Sequence, residues 1–330
     1  MKRLYATLVL LFGFLIFAFF NTTNQKKQTE KPLVGILQLT SHPALDEIHK
    51  GIIAALKENG YTPGKNIRVD FQNAQNDQSN LKTMSQRFEN EDASVMIGIA
   101  TPSAQSLANT TKTTPIVMGA ISDPVGAGLV KNLKNPGNNI TGVMHKEPIN
   151  RQVQLIKQLL PDLKTVGVLH TSSDDSSSSE VKEFTELAHK EGIDVKDYTI
   201  TSTNDIQQVS ASMASNVQAI YIPNDNTVAS GFQTVLKNAD QNNIPVFPST
   251  SEMTRQGGLS TVSVSQYELG KMTGQMAAEI LKGKDPAKMA VRYPTNGITY
   301  LNLKQANKLG ISVPAQLVQQ VEKNKGVVIK

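Results

Sequence analysis

Two hydroxyl-rich turns are the first candidates for chemistry. One is Thr101-Pro102-Ser103-Ala104-Gln105, directly after the apolar run Val95 to Ala100. The other is Thr171-Ser172-Ser173-Asp174, directly after Val166 to His170. Each reads as a buried strand that stops just ahead of a helix. The first turn of a helix carries unpaired N–H groups and partial positive charge. Thr101, Ser103 and Ala104 on one side, and Thr171, Ser172 and Ser173 on the other, can therefore each cradle a carboxylate. A plain N-cap needs only one hydroxyl and Pro102 suits a first helical turn, so a capping role stays open. Asp225 follows the buried strand Ala219 to Ile222 and suits an ammonium through a charge-assisted bond; a second helix cap is the alternative. Gln38 and Thr40 close the first strand. Asp123 follows another, ahead of Pro124, where a simple turn role is equally open. Ser251 and Glu252 follow a late strand. All fall where an open α/β sheet binds its ligands, beyond the C-terminal strand ends.

Other chemistries find little support. The chain has no Cys, which removes disulfides, thiolate metal sites and cysteine nucleophiles. His42 and His49 are seven apart rather than four, and no His-Glu-x-x-His occurs. A Gly-x-Ser-x-Gly elbow and a phosphate loop are missing, and Gly126-Ala127-Gly128 lacks the third glycine of a dinucleotide loop. The expectation is no metal, no cofactor and no catalysis. An exported enzyme of unknown reaction is the alternative, and it would need a nucleophile and base at the strand ends. The net charge is +5, but residues 1–30 hold four Lys or Arg against Glu30, leaving 29 basic against 27 acidic residues elsewhere. Nucleic acid is therefore not an expected partner.

The elements that must position these residues alternate as strand and helix, which gives right-handed βαβ units and parallel sheets. Leu33 to Leu39 is the first strand; Ser41 can cap the helix bearing Leu45, Ile48, Ile52 and Leu56. Ile67 to Phe71 alternates and suits a sheet edge. Strands at Val95, Ile116 and Asn139 follow. The pattern restarts with a helix at Asn150, then strands at Val166, Val195, Ala219, Pro245 and Leu259. Ser177 to Glu180 has the spacing of a capping box. The fold class expected is α/β, two doubly wound Rossmann-like lobes with a hinge. Lobe 1 spans 33–145 plus about 266–283 crossing back; lobe 2 spans 146–265 plus part of the tail 284–330, which carries one further strand at Ile298.

Ahead of them, Met1-Lys2-Arg3 and the uncharged run Leu4 to Phe20 have the pattern of an export signal or signal anchor over residues 1–24. Residues 25–32 read as a tether. Lys2 and Arg3 should stay cytoplasmic, which faces the rest outward. A ligand-sensing repressor would instead need a DNA-binding helix pair at this end.

Several segments, taken in order, resemble the solute-binding component of an ABC importer, in the tryptophan/tyrosine-type family with the type I periplasmic-binding fold. They are Gln38-x-x-Ser41-His42-Pro43-Ala44-Leu45-Asp46, Ala100 to Gln105, Ser122 to Val130, Ala219 to Val228, Tyr267-Glu268-Leu269-Gly270, and the tail Leu301-Asn302-Leu303 with Ala306, Leu309-Gly310 and Pro314. The likeness runs from Lys31 to the end. It implies a monomeric, extracytoplasmic receptor that takes a small zwitterion, plausibly an aromatic amino acid such as tryptophan, between its lobes. An ABC permease and ATPase would be its partners, and the N-terminal segment its link to the membrane. It adds Asn226 to the ligand-binding set, while Tyr198, Tyr221, Phe247 and Tyr267 are candidate ring contacts or core. A binding protein for a different small solute is the other alternative. The departures are the absent lipobox Cys and the Ser-rich stretch from Ser172 to Ser179.

Overall fold

Strand β1 (Leu33–Gln38) is buried along its whole length, as a central parallel strand covered on both faces must be. It sits in a parallel sheet of order β2-β1-β3-β4-β5, with β2 (Arg68–Asn73) at the edge and β3 (Val95–Ile99), β4 (Ile116–Ile121) and β5 (Ile140–Met144) on the other side. Helices α1 (Pro43–Glu58), α2 (Gln78–Asn90) and α3 (Thr101–Thr110) make the crossovers. The computed structural model describes residues 31–330 except Thr295, together with residues 12–14 and 16. Most of the expected signal and most of the expected tether thus lie outside the described residues. Among these, no helix is long and apolar enough to cross a membrane.

After α4 (Ile149–Leu159) a second parallel sheet forms, order β7-β6-β8-β9, from β6 (Thr165–Thr171), β7 (Asp194–Ile200), β8 (Ala219–Ile222) and β9 (Val246–Pro248). Its helices are α5 (Asp175–Lys190), α6 (Ile206–Ala214), α7 (Asn226–Ser230), α8 (Phe232–Gln241) and α9 (Ser251–Arg255). Then come β10 (Ser260–Ser263), α10 (Gln266–Leu281), β11 (Ile298–Asn302), α11 (Leu303–Lys308), α12 (Ala315–Lys323) and β12 (Val327–Ile329). β11 pairs antiparallel with β10 and parallel with β12.

Two sets of core residues separate the lobes. Val264, Leu269, Met276 and Met289 pack with the core of the first sheet. Leu259, Val262, Leu301 and Val321 pack with that of the second. The chain therefore passes between lobes near His145–Pro148, near Val264, and between Val291 and Ile298. α10 lies directly on α1, because Gly51, Gly270 and Gly274 let the two backbones touch. A Cβ on Gly270 would stand 2.0 Å from the Ile48 carbonyl oxygen, and one on Gly51 would stand 2.2 Å from that of Tyr267. Gly98 does the same for the first turn of α3, where a Cβ would meet the Ala104 backbone at 2.7 Å.

Two helix starts differ from the sequence expectation. Residue His42 rather than Ser41 precedes α1, and the Ser41 hydroxyl bonds to the Asp46 carboxylate at 3.0 Å. α5 begins at Asp175, which places Ser177 and Glu180 inside the helix instead of in a capping box. The Ser177 and Ser178 hydroxyls turn back to the Asp174 carbonyl, each at 3.1 Å, so neither is free to cap.

Candidate functional site

The start of α3 is built to receive something polar. Thr101, Ser103 and Ala104 are buried, and neither the Thr101 Oγ1 nor the Ser103 Oγ has a hydrogen-bond partner. The helix begins without a side-chain cap, so the N–H groups of its first turn also lack intrahelical acceptors. Just before it, Ala100 adopts φ 73° and ψ 156°, backbone that only glycine adopts readily, and Ala120 at the neighbouring strand end has φ 62°. Both alanines line a small pocket between the lobes, with Thr101, His145, Asn224 and Gln266. Ala44, Leu45 and Ile48 of α1 give that pocket an apolar side.

The facing turn after β6 is arranged differently. Asp225 is 1 % exposed and its carboxylate is held inside lobe 2. It accepts from the Thr171 N–H at 2.6 Å, the Thr171 hydroxyl at 2.9 Å and the Val228 N–H at 2.9 Å, capping α7. The capping alternative thus describes its observed bonds. Thr171 is consumed by the same contact, while Ser172 and Ser173 lie exposed at the rim. What Asp225 does is fix the turn whose flanking side chains reach lobe 1. The Asn224 Nδ2 donates to the Ser122 Oγ at 3.1 Å and lies 3.0 Å from the His145 Nδ1. The Asn226 Oδ1 is 3.1 Å from the His42 Nε2. Burial holds the His42 pKa below its usual value, so the ring is a neutral partner. The Asp225→Ala variant strands three buried donors, and we expect it to cost about 3 kcal/mol of stability. Urea unfolding checks this, and an unchanged midpoint would contradict the anchoring role.

The remaining candidates scatter. The Gln38 Nε2 bonds to the Thr40 carbonyl and the Asp46 carboxylate, both at 2.8 Å, leaving its Oε1 buried and unpartnered. Asp123 serves its own turn, accepting from the Gly126 N–H at 2.8 Å. Ser251 is buried at the start of α9, beside Glu252, whose Oε2 is a further buried atom without a partner. Tyr221 is core: it stacks on Phe184 at 3.7 Å and donates to the Gln152 Oε1.

Of the buried acidic cluster beside the pocket residues His145 and Asn224, sequence reasoning singled out Glu252 but missed Glu147 and Glu180. Glu147 lies 2.7 Å from the His145 Nε2 and accepts from the Ser263 hydroxyl at 2.9 Å, tying two inter-lobe crossings together. Burial is the largest single influence on His145 and would lower its pKa; the Glu147 charge and hydrogen bond, with the charges of Glu180 and Glu252, together outweigh it and hold the imidazole above its usual value. Glu180 accepts from the Asn224 N–H at 2.9 Å, and its Oε1 has no partner. Burial, reinforced by the Glu147 charge, pushes its pKa up to about 8. Burial also raises that of Glu252. Among the described residues no group of three or more His, Cys, Asp or Glu is placed to hold a metal ion.

Two α/β lobes joined by three crossings, with a pocket between them, are the architecture of the type I periplasmic-binding fold. The family model for "ABC transporter substrate binding protein" matches residues 33–325, and the chain belongs to that family: it is the substrate-binding protein of an ABC transporter. It is 36% identical over 80% of its length to a "Tyrosine-binding protein" of Clostridioides difficile, covering 77% of that relative. Its structure is similar to a domain from Streptococcus pneumonia crystallised with L-Trp (TM-score 0.87, 43% identity, covering 91% of this chain and 100% of that one). It is also similar to the ligand-free, open structure of a substrate-binding protein from Clostridium difficile, with TM-score 0.69, 35% identity and coverage of 91% and 99%.

Proposed function

We propose that this protein captures an aromatic α-amino acid of the tryptophan or tyrosine type outside the cytoplasm and presents it to an importer. The observation that carries this reading is the pair of buried, unpartnered hydroxyls of Thr101 and Ser103 at an uncapped helix start beside the inter-lobe pocket. A carboxylate satisfies both, together with the free N–H groups. Ala44, Leu45 and Ile48 offer apolar contact to a side chain. The relatives support the ligand class, one by its name and the other by its bound L-Trp. The lobes here match the L-Trp complex more closely than the open, ligand-free relative, at similar coverage. Asn224 and Asn226 bridge the lobes in this arrangement.

Capture then works by population shift. An open form admits the solute, and closure is favoured by as much as the solute prefers the closed form. In this reading the residues of the leader hold the protein, as a monomer, at the outer face of the membrane. It is a carrier, not a catalyst. Thermal-shift screening of the purified protein against the twenty common amino acids tests the proposal. Stabilisation by L-tryptophan or L-tyrosine above all others is expected, by about 3 kcal/mol at a hundredfold excess over Kd. No stabilisation by any amino acid would sink it.

A further inference from the structure

If the α-carboxylate goes to α3, the ammonium needs a negative partner in lobe 2. Asp225 is committed to Thr171 and Val228. Glu147 is committed to His145, Ser263 and the Val264 N–H. Glu180 and Glu252 each keep one buried oxygen without a partner, and of these two Glu180 is the one bonded to a pocket residue. Only its Oε2 is engaged, by the Asn224 main chain, and Asn224 is itself a wall of the pocket. Its Oε1 is buried and unpartnered, a position that a carboxylate occupies only at high cost without a cation. Serine hydroxyls cannot supply that charge, and the nearby His145 is held by Glu147.

We propose that Glu180 is the counter-ion of the ligand's ammonium group and that it surrenders a proton to solvent as the amino acid binds. This rests on the amino-acid reading above. The –NH3+ group keeps its three protons, Glu180 passes from –COOH to –COO⁻, and one H⁺ leaves for the buffer. The groups facing Glu180 are Glu183 on its own helix, Tyr221 on β8, and His145 and Glu147 at the first crossing, with Glu252 on α9 sharing that His145–Glu147 pair. The carboxyl of the ligand-free protein stays largely protonated at pH 7, because burial and the Glu147 charge hold its pKa near 8. The sign follows. Below that value binding must first remove the proton, so affinity rises with pH between 6 and 8 and then levels off. Stability of the ligand-free protein changes the other way. The unfolded chain ionises Glu180 from about 4.5 upward while the folded one does not, so this group's contribution falls between pH 4.5 and 8.

Calorimetric titration of L-tryptophan into the purified protein, in phosphate and in Tris at pH 7, reads the proton directly. The wild type should release about one proton per ligand. Glu180→Gln should release none and bind about tenfold more weakly or worse. Its ligand-free melting temperature should not fall, which shows that the variant is folded; Glu180→Asp should keep the release. A flat affinity profile between pH 6 and 8 in the wild type overturns the proposal without any variant. Unchanged affinity and release in Glu180→Gln overturn it too, as does release that disappears in Glu252→Gln instead. Failure of the wild type to bind any amino acid removes the ligand reading along with it.

Discussion

Replacing Thr101 by valine and Ser103 by alanine should weaken amino-acid binding at least about a hundredfold and leave the fold as stable as before. The two halves of that result come from one observation. Both hydroxyls are buried and neither has a protein partner. Removing an unsatisfied buried hydroxyl relieves a desolvation penalty, so the ligand-free protein loses nothing and can gain slightly. In the proposed complex the same hydroxyls donate to a carboxylate, and charged hydrogen bonds are worth about 1.5–3 kcal/mol each. Chemical denaturation with and without L-tryptophan separates the effects. A variant that is destabilised when ligand-free would mean that the hydroxyls are structural caps after all.

The second large effect is expected at Gly270. Its missing Cβ would stand 2.0 Å from the Ile48 carbonyl oxygen and within 3 Å of two further Ile48 backbone atoms, so no flexible side chain can move aside. Gly270→Val must pry α10 from α1, and overpacking of this kind costs about 3 kcal/mol or more. The consequence reaches the site, because Ile48 and Leu45 on the same helix line the pocket. Denaturant unfolding should show a large drop in midpoint, and affinity for L-tryptophan should fall with it. A wild-type midpoint would show that the two helices are not locked as described.

What could be read in advance, and what could not, follows from how local each signal is. β1 was legible because a parallel strand covered on both faces needs an unbroken apolar run, and Leu33 to Leu37 supplies one. The edge position of β2 showed in its alternation. The three-residue β12 was missed, since Val327–Ile329 is half-buried and too short to show a period. The strand-to-helix turn at the start of α3 was legible because strand, hydroxyl, proline and helix are contiguous. The buried acidic cluster was legible only at Glu252, which follows a strand. His145, Glu180, Asn224 and Glu252 come from four separate elements and meet only once both lobes are assembled. Glu180 was also disguised, as its spacing from Ser177 imitates a capping box while the helix starts two residues earlier. For Asp225 both roles were open in the sequence, and the bonds observed around it are the capping ones.

The central claim is that one solute is gripped by both of its charged ends, its carboxylate at Thr101 and its ammonium in the opposite lobe. Calorimetry of the purified protein with L-tryptophan, tryptamine and indole-3-propionate tests it in a single comparison, since the last two each keep the ring and lose one charge. L-tryptophan should bind, and each analogue should bind about a hundredfold more weakly or not at all. If tryptamine or indole-3-propionate bound as tightly as the amino acid, the two-ended grip would be contradicted.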